Sequence, residues 1–146
     1  MLWESNTICR YLCERHGDGA LLPCEAQARA RVSQWMDWQA TELNTAWRYA
    51  FMALVRNSPA HRDPALIEAA IAAWNRLIAM LDAHLGQGGP YVTGKSFSLA
   101  DIVLGLSVNR WLMTPLVHPD HPHLAAWYAR LADRPGFRNW CANGIA

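Results

Sequence analysis

The stretch GKSFSLADIVLG, residues 94–105, indicates how the chain folds. Ser98 stands three residues before Asp101, the spacing of a capping box, in which the two residues bond reciprocally at a helix start. Phe97 and Ile102 occupy the positions of a hydrophobic staple around it. The helix that follows is apolar on every side, which is typical of a buried central helix. We interpret Ser98 and Asp101 as a structural cap, with a catalytic aspartate as the alternative.

Outward from this helix, the rest of the chain also has helical periodicity. Apolar residues recur at three- and four-residue steps, and no segment has the alternation of a β-strand. The predicted helices are one at the chain start capped by Ser5, then 25–56, 64–85, 98–111 and 124–132, with a short turn near 137–141. The two long helices are joined by a short loop, so they should pack as an antiparallel hairpin. The predicted fold class is all-α, a helical bundle.

Composition favours a globular domain and excludes several classes of partner. The 146 residues are 52% hydrophobic and 17% charged, and eight tryptophans predict an aromatic core. The net charge is +1 and no basic block stands out, so we expect no nucleic-acid partner. No apolar run approaches the roughly 20 residues that span a bilayer, so we expect no membrane partner.

The cysteines and histidines predict neither a disulfide framework nor a metal site. Cys9, Cys13, Cys24 and Cys141 form no CxxC pair, so we expect free thiols in a reducing cytoplasm. Cys9 and Cys13, one helical turn apart, are better interpreted as apolar thiols than as a redox pair. The run 118–123 holds three histidines but lacks the ligand spacing of a zinc site. A loop stiffened by prolines is the better interpretation.

The pair Glu4-Ser5 stands at the start of the first helix. Free N–H groups at a helix start bind carboxylates and phosphates, and a serine hydroxyl adds a donor. A neighbouring glutamate can hold an ammonium group. The pair therefore suits a ligand with an amino-acid-like end, and it suits an ordinary helix cap as well.

Together these segments resemble the glutathione S-transferase family. LWESNTICRYL (2–12) is similar to the Glu/Gln-Ser-x-x-Ile-x-x-Tyr-Leu segment in the last helix of the family's thioredoxin-like half. RARVSQWMDWQATELNTAWR (29–48) is similar to the Trp-rich first helix of the helical domain in bacterial, theta-like members. GKSFSLADI (94–102) is similar to the family's capping-box signature, and LAAWYARLADRPGF (124–137) to its closing helix.

The resemblance implies a helical bundle, glutathione as cosubstrate, a small electrophile as second substrate and a homodimer. It implies that Glu4 and Ser5 hold the γ-glutamyl end of glutathione, and it keeps the capping box structural. Residues 1–23 would be a helix and linker of the thioredoxin-like half, and residues 24–146 the helical domain. The candidates for an electrophile pocket are Trp38, Thr41, Arg48 and Met113.

The chain departs from the family pattern in one respect. Family members carry a strand-rich segment ahead of this match, with the catalytic Ser, Tyr or Cys and a cis-proline loop. We therefore expect a truncated form that lacks the thioredoxin-like half and has little transferase activity alone. The alternatives are a non-catalytic interaction module of the translation-associated type and a ligand-binding bundle unrelated to glutathione. The electrophile itself is not predicted.

Overall fold

A computed structural model describes residues 1–146, which form helices and connecting loops without any β-strand. The seven helices are α1 (Ser5–His16), α2 (Ala26–Trp38), α3 (Asn44–Leu54), α4 (Pro64–Leu85), α5 (Leu99–Met113), α6 (Pro122–Ala132) and α7 (Pro135–Trp140). A π-helical segment, Gln39–Leu43, joins α2 directly to α3. The predicted all-α fold class is confirmed.

Local capping explains most helix limits. Asp63 accepts hydrogen bonds from the N–H groups of the first turn of α4, and Pro64 occupies the first helical position, where it needs no N–H partner. Glu25 caps α2 in the same way, and its bonds to the backbone N–H groups of Gln27 and Ala28 lower the pKa of its carboxyl group. The sequence thus predicted the starts of these two helices to within one residue.

Two helix starts differ from prediction. Ser5 is the first residue of α1 rather than its cap, because Glu4 occupies the capping position. The helix α6 begins at Pro122, two residues before the predicted Leu124, since a proline is favourable in the first turn of a helix.

The helix α5 lies at the centre of the bundle. It packs against α1, α2, α6 and the π segment, and nine of its residues are buried. The fully buried indoles of Trp74, Trp111 and Trp127 come from three different helices and fill the core. The predicted central helix and tryptophan-rich core are confirmed. The largest helix–helix contact is between α3 and α4, as expected for neighbours joined by a short loop.

The buried carboxylate of Asp101 links three parts of the chain. Its Oδ2 accepts from the N–H of Ser98 at 2.9 Å and from the Ser98 hydroxyl at 3.0 Å, within a capping box. Its Oδ1 accepts from the N–H of Val92 and from the indole N–H of Trp127, both at 2.9 Å. The side chain is completely buried. Asp101 therefore fixes the loop before α5 and the helix α6 as well as the start of α5.

The helix α4 corrects one expectation from the sequence. Its 22 residues are long and apolar enough, by length and composition alone, to cross a membrane. Glu68, Asn75 and Arg76 interrupt this helix, so it holds no long uninterrupted run of apolar residues. One face of α4, with Ile78 and Leu81, lies in the core of the bundle. A core helix of a globular protein has the same length and composition.

Candidate functional site

The helix α1 rests on α2 through polar contacts. The amide of Asn6 donates to the carbonyl of Met36 at 3.1 Å. The guanidinium of Arg10 donates to the Asp37 carboxylate at 2.5 Å and to the Ser33 carbonyl at 3.4 Å. Sequence reasoning missed Asn6 and Arg10, although their spacing of four residues places them on one helix face. These contacts hold the start of α1 beside the end of α2.

The backbone at the start of α1 is strained. Glu4 has φ 67° and ψ 116°, outside the regions that residues with a side chain adopt readily. Such a conformation costs about 1–3 kcal/mol and occurs most often at ligand-binding and catalytic sites. Both Glu4 and Ser5 are exposed. The strained backbone therefore presents a carboxylate and a hydroxyl to solvent.

The first N–H groups of α1 have no capping side chain. The first hydrogen bond of the helix joins the N–H of Ile8 to the carbonyl of Glu4 at 2.9 Å. The N–H groups of residues 5–7 precede it, and no side chain accepts from them. Together with the Ser5 hydroxyl they form a set of donors that can bind an anionic group. The Glu4 carboxylate beside them can hold a cationic group.

The four candidates for an electrophile pocket do not share one cavity. Trp38 contacts Trp35 edge to face, with ring centroids 5.3 Å apart. Thr41 donates to the carbonyl of Asp37 at 2.9 Å and lines a groove between the π segment and α4. Arg48 is exposed on α3, and Met113 is 40% exposed at the end of α5. None of the larger grooves is lined by two of these four residues.

A buried polar network connects the π segment to α3 and α5. The amide of Gln39 donates to Asn44 Oδ1 at 3.0 Å and to the Ser107 hydroxyl at 2.9 Å. The indole N–H of Trp47 donates to the same Asn44 oxygen at 2.9 Å. These bonds fix where Trp47 lies relative to α5. No periodicity in the sequence indicated the network.

The largest groove lies away from both candidate sites. It has a volume of about 680 Å³, is mostly apolar and runs between α5 and α7. Its principal walls are Phe97, Ile102, Phe137 and Trp140. The guanidinium of Arg134 stacks on the Phe97 ring at 3.8 Å. None of the residues selected from the sequence as ligand contacts lines it.

The histidines of the run 118–123 have separate partners. A ring nitrogen of His118 lies 2.7 Å from the Trp111 carbonyl, and His121 Nδ1 lies 4.0 Å from the Asp82 carboxylate. His123 packs against Gly86. No group of three His, Cys, Asp or Glu side chains is placed to hold a metal ion. The three histidines therefore have three different partners.

Burial disfavours the thiolate form of one residue of the Cys9 and Cys13 pair. Both thiols are partly buried against the core. Burial, and secondly the proximity of Cys9, raise the pKa of Cys13. A raised pKa lowers the reactivity of a thiol at neutral pH. The environment of Cys13 therefore favours the interpretation as an apolar thiol.

Comparison with known proteins identifies the family. Residues 64–130 match the model of the glutathione S-transferase C-terminal domain. The theta class glutathione S-transferase from the citrus canker pathogen Xanthomonas axonopodis pv. citri, in its apo form, is 40% identical. It superimposes with a TM-score of 0.89 over 97% of this chain and 74% of that chain. The chain belongs to the glutathione S-transferase family.

Other members of the family are similar over most of the chain. Glutathione S-transferase GstB of Escherichia coli is 36% identical over 138 residues, 94% of this chain and 66% of GstB. The glutathione-bound form of the Xanthomonas protein is 41% identical, with a TM-score of 0.87, and the match covers 67% of that chain. Elongation factor 1-gamma 2 of Oryza sativa subsp. japonica is 29% identical over 94% of this chain and 33% of its own length. The chain thus spans slightly less than two thirds of GstB.

Proposed function

We propose that the chain is the helical part of a glutathione transferase and that Glu4 and Ser5 hold the γ-glutamyl end of glutathione. The supporting observation is the exposed, strained start of α1 with its uncapped N–H groups. The γ-glutamyl group carries an α-carboxylate and an ammonium group. The Ser5 hydroxyl and the N–H groups would bind the carboxylate, and the Glu4 carboxylate would pair with the ammonium. The relative with glutathione bound supports this choice of ligand.

The domain division forms a second part of the proposal. Residues 1–23 would belong with a thioredoxin-like half, and residues 24–146 would form the helical domain. In support, no residue of α1 is buried, and its apolar side chains Ile8, Tyr11 and Leu12 are 36–49% exposed. A segment packed on this face would supply the catalytic Ser, Tyr or Cys of the family. Conjugation needs such a group to stabilise the glutathione thiolate.

We propose that this chain supplies only part of the wall of the electrophile pocket. Trp38, Thr41 and Arg48 would contribute from the helical run α2–α3, and Met113 from the end of α5. Their separation within the chain means that the thioredoxin-like half would have to complete the wall. Binding of small apolar molecules commonly occurs between domains.

A homodimer in the cytoplasm completes the proposal. Leu66 and Met80 on the outer face of α4 are 50% and 45% exposed, and apolar surface of this kind is often covered by a second copy. Size-exclusion chromatography with light scattering measures the mass directly. A clean monomer at micromolar protein concentration would contradict the dimer.

Glutathione binding to the 146-residue chain tests the site at α1. In NMR titrations with reduced glutathione, the amide signals of residues 5–7 should shift, and Glu4→Gln or Ser5→Ala should weaken the response. Exposed Glu42 and Ser96 provide matched controls, and Glu42→Gln and Ser96→Ala should leave the response unchanged. Equal effects of the two sets of substitutions would refute the assignment, and so would unshifted signals at α1.

A conjugation assay tests whether catalysis requires the thioredoxin-like half. The chain alone should give no rate above the uncatalysed background with glutathione and an aromatic halide, because no group of this chain is proposed to stabilise the thiolate. Turnover at a rate typical of enzymes would contradict the proposal.

The second candidate function is a non-catalytic interaction module. Its support is the similarity to the elongation factor 1-gamma proteins over 94% of the chain. Under this alternative, the helical bundle would mediate assembly and would bind no glutathione. The same NMR titration with glutathione separates the two functions, since only the proposed transferase function predicts shifted amide signals at the start of α1.

A further inference from the structure

Two arginines, Arg110 in the last turn of α5 and Arg56 just after α3, converge on two aromatic rings of α3. The guanidinium carbon of Arg110 lies 4.6 Å from the ring centroid of Trp47 and 5.4 Å from that of Phe51. The guanidinium carbon of Arg56 lies 5.4 Å from the same Phe51 ring. The Phe51 side chain is buried and contacts the Trp47 ring edge to face, with ring centroids 5.1 Å apart. Two cations therefore share one rigid aromatic platform.

Neither arginine has an acidic partner. The ion pairs of the chain lie elsewhere, at Arg10–Asp37, Arg29–Glu14 and His121–Asp82. No side-chain hydrogen bond uses the guanidinium of Arg110 or Arg56, and the Nε of Arg110 is shielded from water without an acceptor. A guanidinium carries five N–H donors, and buried donors are nearly always bonded. The platform therefore has positive charge and donors but no acceptor.

Of the nitrogens of the two guanidinium groups, only the Nε of Arg110 is both buried and without a partner. Stacking on an aromatic ring stabilises the positive charge, and so does the negative end of a helix. Neither contact places an acceptor in the plane of the guanidinium, where its N–H groups point. Burial, and secondly repulsion from Arg56, lower the pKa of Arg110, as expected for a cation without a counter-ion. The Nε of Arg110 is shielded from water, so an oxygen anion would bind the terminal N–H groups of the guanidinium.

We propose that Arg110 and Arg56 form a binding site for the oxyanion group of a small molecule, a carboxylate or a sulfonate. The forked guanidinium of Arg110 would bind two oxygens side by side, and Arg56 would add a second positive charge at the rim. This site goes beyond the proposed function. Met113, a proposed residue of the electrophile pocket, lies one helical turn after Arg110. The anion site would therefore favour electrophiles that carry a negative group. Only this consequence rests on the proposed function.

Titration with sodium benzoate and with its neutral analogue benzamide tests the site on the 146-residue chain. Ionic strength is held constant with sodium chloride, and sodium sulfate serves as an anion without a ring. The readouts are the Nε–H NMR signal of Arg110 and the melting temperature. Benzoate should shift the signal and raise the melting temperature, whereas benzamide should do neither. A response to sulfate as strong as that to benzoate would assign the site to the anion alone, as proposed.

Substitutions separate this site from general attraction of anions. Arg110→Met should weaken benzoate binding at least about tenfold, as expected for the loss of paired charge-assisted hydrogen bonds. Arg110→Lys should recover only part of the affinity, because an ammonium cannot bind two oxygens side by side. Arg15 is exposed at the end of α1 and makes no hydrogen bond or ion pair, so Arg15→Met is the matched control.

Each outcome decides the proposal. Equal benzoate affinity in the original chain, Arg110→Met and Arg15→Met would overturn it, as would the absence of any response to benzoate. If Arg110→Met does not fold, Arg56→Gln on the exposed rim takes its place, and unchanged affinity in that variant would overturn the proposal. Benzoate binding does not involve α1, so a failure of glutathione binding leaves this result independent.

Discussion

Replacing Asp101 by alanine removes the acceptor of four hydrogen bonds at once. The donors are the N–H and hydroxyl of Ser98, the N–H of Val92 and the indole N–H of Trp127. The Ser98 hydroxyl can turn to the neighbouring Thr93, whose hydroxyl lies 3.4 Å away. The three N–H groups remain buried without an acceptor. The substitution therefore acts on α5, on α6 and on the loop between α4 and α5.

The magnitude follows from these three donors. A buried donor without a partner costs about 1–3 kcal/mol, so three cost about 3–9 kcal/mol. Removing the carboxylate also removes the cost of burying its charge, which moves the net effect toward the lower part of that range. We expect the free energy of unfolding to fall by about 3–5 kcal/mol. For a chain of this size the melting temperature should fall by about 10–15 °C.

Urea unfolding, followed by circular dichroism and tryptophan fluorescence, measures the loss. Asp63→Ala is the matched control, since Asp63 also caps a helix but is exposed, and it should cost only about 1 kcal/mol. Asp101→Asn should lie between the two, because its amide oxygen still accepts from Val92 and Trp127. An Asp101→Ala variant as stable as Asp63→Ala would refute the role of burial in this argument.

Three further predictions concern packing, pH and surface. Gly105→Ala should cost about 1–3 kcal/mol in urea unfolding, because its Cβ would lie 2.4 Å from the Phe137 ring, and Phe137→Leu should recover part of the loss. Burial raises the pKa of Tyr128 to about 12, so its contribution to stability is complete below about pH 10 and is lost toward pH 12. Between about pH 10 and pH 12, the free energy of unfolding should therefore fall less steeply with pH in Tyr128→Phe than in the original chain. Leu12→Glu should reduce the fluorescence of a bound apolar dye, since Leu12 is 49% exposed, and unchanged fluorescence would place the apolar surface elsewhere.

The fold followed from the sequence where the signals are local. The capping box at the start of α5, and the pair Asp63-Pro64 at the start of α4, each act within a few residues, so their spacing alone predicted the helix starts. The bonds from Asp101 to Val92 and Trp127 span nine and 26 residues. They depend on how distant segments meet, which no local pattern contains. The same reason explains why the network around Gln39 was missed.

The candidate site could be predicted in its residue types but not in its geometry. Glu4 and Ser5 were selected from their chemistry, and they remain proposed ligand contacts. The strained backbone at Glu4 could not be foreseen, because a glutamate in that conformation contradicts its ordinary preference. No sequence pattern distinguishes Arg110, because its characteristic property is the lack of a partner, which is determined only by the three-dimensional structure. Periodicity classified it simply as one residue of a helix.

The π segment has a consequence for the design of the whole bundle. One extra residue in a helix rotates everything beyond it by about 100° relative to a regular helix. This turn lets α2 contact α5 while α3 packs along α4, although α2 and α3 form one continuous helix through the π segment. If Gln39–Leu43 wound as a regular helix with its present number of residues, Trp47 and Phe51 would turn to a different side of the axis. Deleting one residue here would remove the wide turn and keep Trp47 and Phe51 on their present side, whereas inserting one more would rotate them by about 100°, so the deletion should be the better tolerated change.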